Sequence, residues 1–96
     1  MSLSLTPIFG DASVAASGTY DIKAPTGQVY SINNIYYGAG VTITRVTPAG
    51  SSVVHIDATG GIFTNTTFRV SDTHYFTITN TDLSAQVVSY DGIRLQ

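Results

Sequence analysis

The sequence predicts an all-β fold, an antiparallel β-sandwich or a jelly-roll-like barrel of about seven to eight short strands. Three observations carry that prediction. No stretch sustains a helical period; apolar and polar residues alternate in short runs instead. Turn residues interrupt these runs at roughly eight- to twelve-residue spacing, as in sandwiches and barrels. The composition is also strand-like: only 10% of the 96 residues are charged, against roughly 25% in an average globular protein. Glutamate is absent, and Thr, Ser, Asn and Gly, poor helix material, take the place of charge.

The elements follow in order. Residues 1–16 read as an N-terminal arm or edge strand, ahead of a β-sandwich domain over 17–96. In "SLSLTPIF" Leu3 and Leu5 alternate before Pro7, Ile8 and Phe9, and the small-residue stretch "GDASVAAS" follows. Pro7 disfavours a central strand. The segment therefore reads either as an edge strand on its own domain or as an apolar arm laid across a neighbouring subunit. "GTYDIKAP" sets Tyr20, Ile22 and Ala24 on one face, and Pro25-Thr26-Gly27 turns the chain into "QVYSINNIYY". Alternation slips at Asn33-Asn34, which predicts a bulge or a switch between sheets. "GAG" at 38–40 reads as the next turn, and "VTITRVT" as a strand with Val41 and Ile43 inward. Pro48-Ala49-Gly50-Ser51 leads to "SVVHIDA", where Val54 and Ile56 share a face. Gly60-Gly61 reads as a break before "IFTNTTFRV", and "HYFTITN" and "AQVVSYDGIRLQ" complete the set. Asp91-Gly92 is either a hairpin turn, returning a four-residue stub, or a bulge after which the strand runs on. The bulge is preferred, because so short a return forms few ladder bonds.

A chain of 96 residues holds one domain, small enough that oligomerisation is a common support. The net charge of −2 and the spread of Lys23, Arg45, Arg69 and Arg94 along the chain give no footprint for nucleic acid. So neutral a surface repels its own copies weakly. There is no cysteine, hence no disulfide framework and no thiolate site. The N-terminus has no basic run followed by a long apolar stretch, which argues against a signal peptide. Nothing reaches the length of a membrane helix. The expectation is a protein made in the cytoplasm with neither nucleic-acid nor membrane partners.

Catalysis needs a nucleophile, a base or a metal held close in space, and candidates are few. His55 and Asp57 lie on one face of a strand, and Asp72 and His74 flank a turn. They match no zinc or calcium loop pattern and read best as solvent-facing residues. No nucleophile elbow or phosphate loop is present, so neither an enzyme nor a cofactor is expected. Tyr36, Tyr37 and Tyr75 combine an apolar body with a polar tip. They suit the core, or, if exposed together, a glycan-binding face. Asn33, Asn34, Asn65 and Asn80 read as turn and bulge residues; Asn65 also opens "NTT", a glycosylation acceptor pattern that matters only on secretion.

Four pieces in order, "GTYDIKAPTGQVYSINNIYY", "VTITRVTPAG", "FRVSDTHYFTITNT" and "VSYDGIRLQ", resemble small all-β virion structural proteins of tailed bacteriophages, the group that includes capsid decoration, or cement, proteins. The shared pattern is a Pro-x-Gly turn before a Tyr-x-Ile-x-Asn-Ile strand, an aromatic strand ending in x-Ile-x-Asn, and a closing Tyr-Asp-Gly segment, over residues 18–96. The resemblance implies a structural protein on the capsid surface that binds the outer shell and stabilises it without catalysis. It also implies a homotrimer, with the major capsid protein or other virion subunits as partners. On that reading Leu3, Leu5, Ile8 and Phe9 are the partner-binding residues. The alternative is a receptor- or carbohydrate-binding module such as a tail-fibre tip, with Tyr36, Tyr37 and Tyr75 as its platform.

Overall fold

In the computed structural model, which describes residues 6–64 and 68–96, seven antiparallel strands form a nearly closed barrel. They are β1 (Thr6–Val14), β2 (Thr19–Ile22), β3 (Tyr30–Thr47), β4 (Gly50–Phe63), β5 (Phe68–Val70), β6 (Tyr75–Asn80) and β7 (Gln86–Arg94). The sheet order is β1-β7-β3-β6-β2, with β4 and β5 also paired to β3. Leu3, Leu5 and Asn65 lie outside the described residues.

Two strands are long rather than short. The glycines at 38–40 and 60–61 are not turns, since β3 runs through the first set and β4 through the second. Both sets sit at one corner of the barrel, facing each other across the β3–β4 hairpin, with Tyr37 opposite Gly61 and Ala39 opposite Thr59. Here β3 changes neighbours: it pairs with β7 up to Tyr37 and with β6 from Val41. A Cβ at Gly60 would meet the Gly38 carbonyl, so only a residue without a side chain lets the two backbones approach this closely. The glycines therefore bend a continuous ribbon.

The buried polar pair Asn80 and Gln86 holds the corner. Gln86 Oε1 accepts from the N–H groups of Gly38 and Ala39 at 3.0 and 2.9 Å, and its Nε2 donates to the Gly40 carbonyl at 2.9 Å. Nε2 also donates to Asn80 Oδ1 at 2.8 Å. Asn80 Nδ2 in turn donates to the carbonyls of Val14, Ala15 and Ser84. Backbone groups that leave one ladder before joining the next are thus satisfied by side-chain amides, as burial requires. Asn80 is a latch between β1, β6 and β7 as well as a turn residue.

The expected slip in "SINNIYY" is a bulge: Ile32 pairs with Gly92 and Asn34 with Asp91, leaving Asn33 as the extra residue. The same irregularity settles the closing segment. β7 runs straight through Asp91-Gly92, and Ile93 and Arg94 pair with Pro7 and Thr6 on one side and with Ser31 and Tyr30 on the other. No hairpin forms there, and the extra residue belongs to the partner strand. Gly92 is needed because a Cβ would run into the Ser31 carbonyl.

The core is the inner face of this ribbon: Ile22, Ile32, Ile35, Val41, Ile43, Val70, Phe76, Ile78 and Val88 are essentially buried. Val41 and Ile43 point inward as their alternation predicts. β1 pairs with β7 along its whole length and forms one end of the sheet order, which suits Pro7. Alternation sends Ile8, Ala12 and Val14 toward the core and leaves Phe9 outside.

Candidate docking faces and side-chain clusters

The outer face of β1, β7 and β3 carries the first candidate site. Phe9 pairs with Asp91, Asp11 with Ser89 and Ser13 with Val87 across β1 and β7, while Asn34 and Tyr36 extend the rows on β3. Directly paired residues share a face, so Phe9, Asp11, Val87, Ser89, Asp91, Asn34 and Tyr36 all point outward. Small Ser89 leaves an open cleft of about 290 Å³ between Phe9 and Asp11 on one side and Tyr36 on the other. The Asp91 carboxylate is held in place, accepting from Tyr36 Oη at 2.6 Å and from Asn34 Nδ2 at 2.8 Å. Donation to that carboxylate raises the Tyr36 pKa, because ionising the phenol would set two anions side by side. Phe9 is 79% exposed and Val87 62%, a large apolar exposure for two neighbouring strands of so small a barrel.

The second cluster lies on the opposite face, between β3 and β4. The sequence sets Val54 and Ile56 together and His55 and Asp57 in solvent; the structure reverses the burial. Register decides it. Val41 and Ile43 occupy the core, and the β4 residues opposite them are Asp57 and His55, whereas Ile56 sits opposite outward-facing Thr42. The β4 pair is therefore drawn to the inner side. The His55 ring stacks on Phe63 at 4.3 Å, Phe63 meets Phe68 edge-on at 5.6 Å, and Phe68 stacks on Phe76 at 4.2 Å. Tyr37 Oη donates to Asp57 Oδ2 at 2.8 Å and lies 3.3 Å from His55 Nε2. Burial, and secondarily the bond to Asp57, push the Tyr37 phenol up to about 12. The Thr59 N–H, then the Tyr37 hydroxyl, lower the Asp57 pKa and keep its carboxylate ionised.

The three tyrosines named for a glycan platform do not share a surface. Tyr37 is 5% exposed inside the barrel, Tyr36 is outside on the β7 side, and Tyr75 pairs with Val46 at the far end of β3, with Lys23 Nζ 5.0 Å from its ring centre. His55 and His74 are not brought together either: His74 bonds to Thr73 Oγ1 in the turn before β6. Among the described residues no group of three or more His, Cys, Asp or Glu side chains is placed to hold a metal ion. One convergence has no sequence signal. Arg45 and Arg69, far apart along the chain, line one cleft with His74 and Ser71; Arg69 stands on β5 opposite Ser31 and Arg45 on β3 opposite Phe76. Only a resolved register reveals it.

Comparison with known proteins finds no family model that matches this chain, and no curated protein matches it.

Proposed function

We propose that this chain is a virion structural protein of the capsid decoration type, which docks on an outer shell and stabilises it without catalysis. The observation that carries the reading is the outer face of β1 and β7, where two apolar side chains, Phe9 and Val87, stand exposed among polar ones with no layer of the chain's own described residues over them. A docking protein works by burying such anchors against a complementary surface, with a polar rim around them. Asp11, Asn34, Tyr36 and Asp91 supply the polar groups, the last three fixed by their own hydrogen bonds. Leu3 and Leu5 precede β1 and extend the same apolar character in sequence. Ile8 supports the face from below, packed on the core. The resemblance to cement proteins and the low surface charge support the same role, and its setting is the capsid surface.

The test is co-sedimentation of the purified chain with shells assembled from the major capsid protein of the phage that encodes it. Saturable binding is expected, weakened at least about tenfold by Phe9→Asp, the order expected when a central anchor is lost. A chain that stays in the supernatant at every concentration would sink the proposal.

A further inference from the structure

We propose that the open edge of β4 is a two-fold interface with a second copy of this chain, in which residues 54–58 pair antiparallel with the same residues of the partner about Ile56. Among the described residues β4 is paired with β3 alone, so a row of backbone donors and acceptors faces outward along a 14-residue strand. Such an edge is a template for another strand, and proteins normally guard it with Lys, Pro or inward charges. From Gly50 to Phe63 there is no Lys, Arg or Pro; the guards present are the bulge at Val54 and the inward carboxylate of Asp57, which is already taken up by Tyr37 Oη and by the N–H and hydroxyl of Thr59. Instead Val53, Val54, Ile56 and Ile62 are 56, 41, 71 and 54% exposed.

Charge selects both the occupant and the register. The only titratable residues on β4 are His55 and Asp57, two positions apart. Antiparallel pairing about Ile56 sets His55 opposite the partner's Asp57 and Asp57 opposite the partner's His55. Shifting the axis to residue 57 would place carboxylate against carboxylate, and shifting it to residue 55 imidazole against imidazole. The segment is therefore complementary to itself in one register, the requirement for an isologous two-fold contact.

Backbone geometry agrees. Asp57 Oδ1 holds the Thr59 N–H. The Thr81 N–H bonds to the Gly40 carbonyl on the β6 side, which turns the Val41 N–H toward β4, so Val41–Asp57 and Ile43–His55 are the hydrogen-bonded pairs of the β3–β4 ladder. The N–H and C=O of Ile56 therefore face the open edge. In the proposed register Ile56 forms a hydrogen-bonded pair with the partner's Ile56, at a Cα separation of about 5.5 Å. The bulge at Val54, between the Ile43 and Thr44 pairings, closes the seam at one end. A seam this short buries less than the roughly 1,600 Å² of a standard interface, so the dimer is weak and concentration-dependent. The inference does not rest on shell docking. Its two-fold symmetry also departs from the trimer that the resemblance implies.

Because the chain has no cysteine, Ile56→Cys introduces a lone thiol on the axis, within the range of a disulfide. In the same register the thiols of Val53→Cys would lie about 20 Å apart. Sedimentation of the wild-type chain over a micromolar series is expected to show monomer–dimer exchange. Ile56→Asp, with unchanged circular dichroism, should remain monomeric. Under mild oxidation Ile56→Cys should form covalent dimers at least about tenfold faster than Val53→Cys, given that separation. A wild-type chain that is monomeric throughout, a stable trimer, or equal cross-linking of the two cysteine variants would overturn the proposal.

Discussion

Gln86 carries more of the barrel corner than any apolar residue near it. Its amide satisfies two N–H groups and one carbonyl of the bent β3 segment and also meets Asn80. Gln86→Leu keeps the bulk but strands the N–H groups of Gly38 and Ala39, whereas the Gly40 carbonyl keeps the Thr81 N–H; it should lower unfolding stability by about 3 kcal/mol, measured by urea titration. Tyr37 gives a prediction with a sign. Its phenol titrates near 10.0 when unfolded and at about 12 when folded. The stability tied to its proton is thus fully present below the unfolded value and lost as pH rises through the folded one. Alkaline unfolding followed by phenolate absorbance should show that loss in the wild-type chain. Tyr37→Phe should lack it, starting from a baseline lower by about 1 kcal/mol. A Tyr37→Phe chain with the wild-type alkaline profile would show that another group governs it.

At the scale of elements, the sequence announced most strands but misread the punctuation. Alternation located β2, β6, β7 and both halves of β3, and the slipped period at Asn33-Asn34 was legible because a bulge leaves an extra residue out of phase. Glycine was the ambiguous sign: at 38–40 and 60–61 it bends a continuous hairpin, and only the register across the strands distinguishes a bend from a turn. The face of β4 was illegible for a related reason, since its Val and Ile side chains look like core until Val41 and Ile43 are seen to fill that side. The outer cleft was half visible, with Phe9 identifiable and its partners Asp91 and Tyr36 supplied by pairing across the sheet. Gly92 tests the element-level account. Gly92→Ala would press a methyl group into the Ser31 carbonyl, force β7 away from β3 beside the bulge, and cost about 2 kcal/mol. Unfolding at the wild-type midpoint would show that this approach is slack.

On the scale of the whole molecule, a 96-residue chain wraps a nearly closed barrel around a core rich in β-branched residues, and its described residues leave apolar side chains uncovered in two places. One is the β1–β7 face around Phe9; the other is the edge of β4 around Ile56. On the two proposals made above, their separation would let one copy meet a shell and another copy at once, so that contacts weak alone would add through linkage. Stabilisation, beyond mere binding, is what distinguishes a cement from a passenger. The decisive measurement is therefore the thermal disruption of the same shells, followed by light scattering, with and without saturating chain. The wild-type chain is expected to raise the midpoint by several degrees, because a ligand that binds only the intact state stabilises it, and Phe9→Asp to leave it near that of bare shells. Shells that carry the bound wild-type chain yet melt where bare shells do would contradict the proposed function.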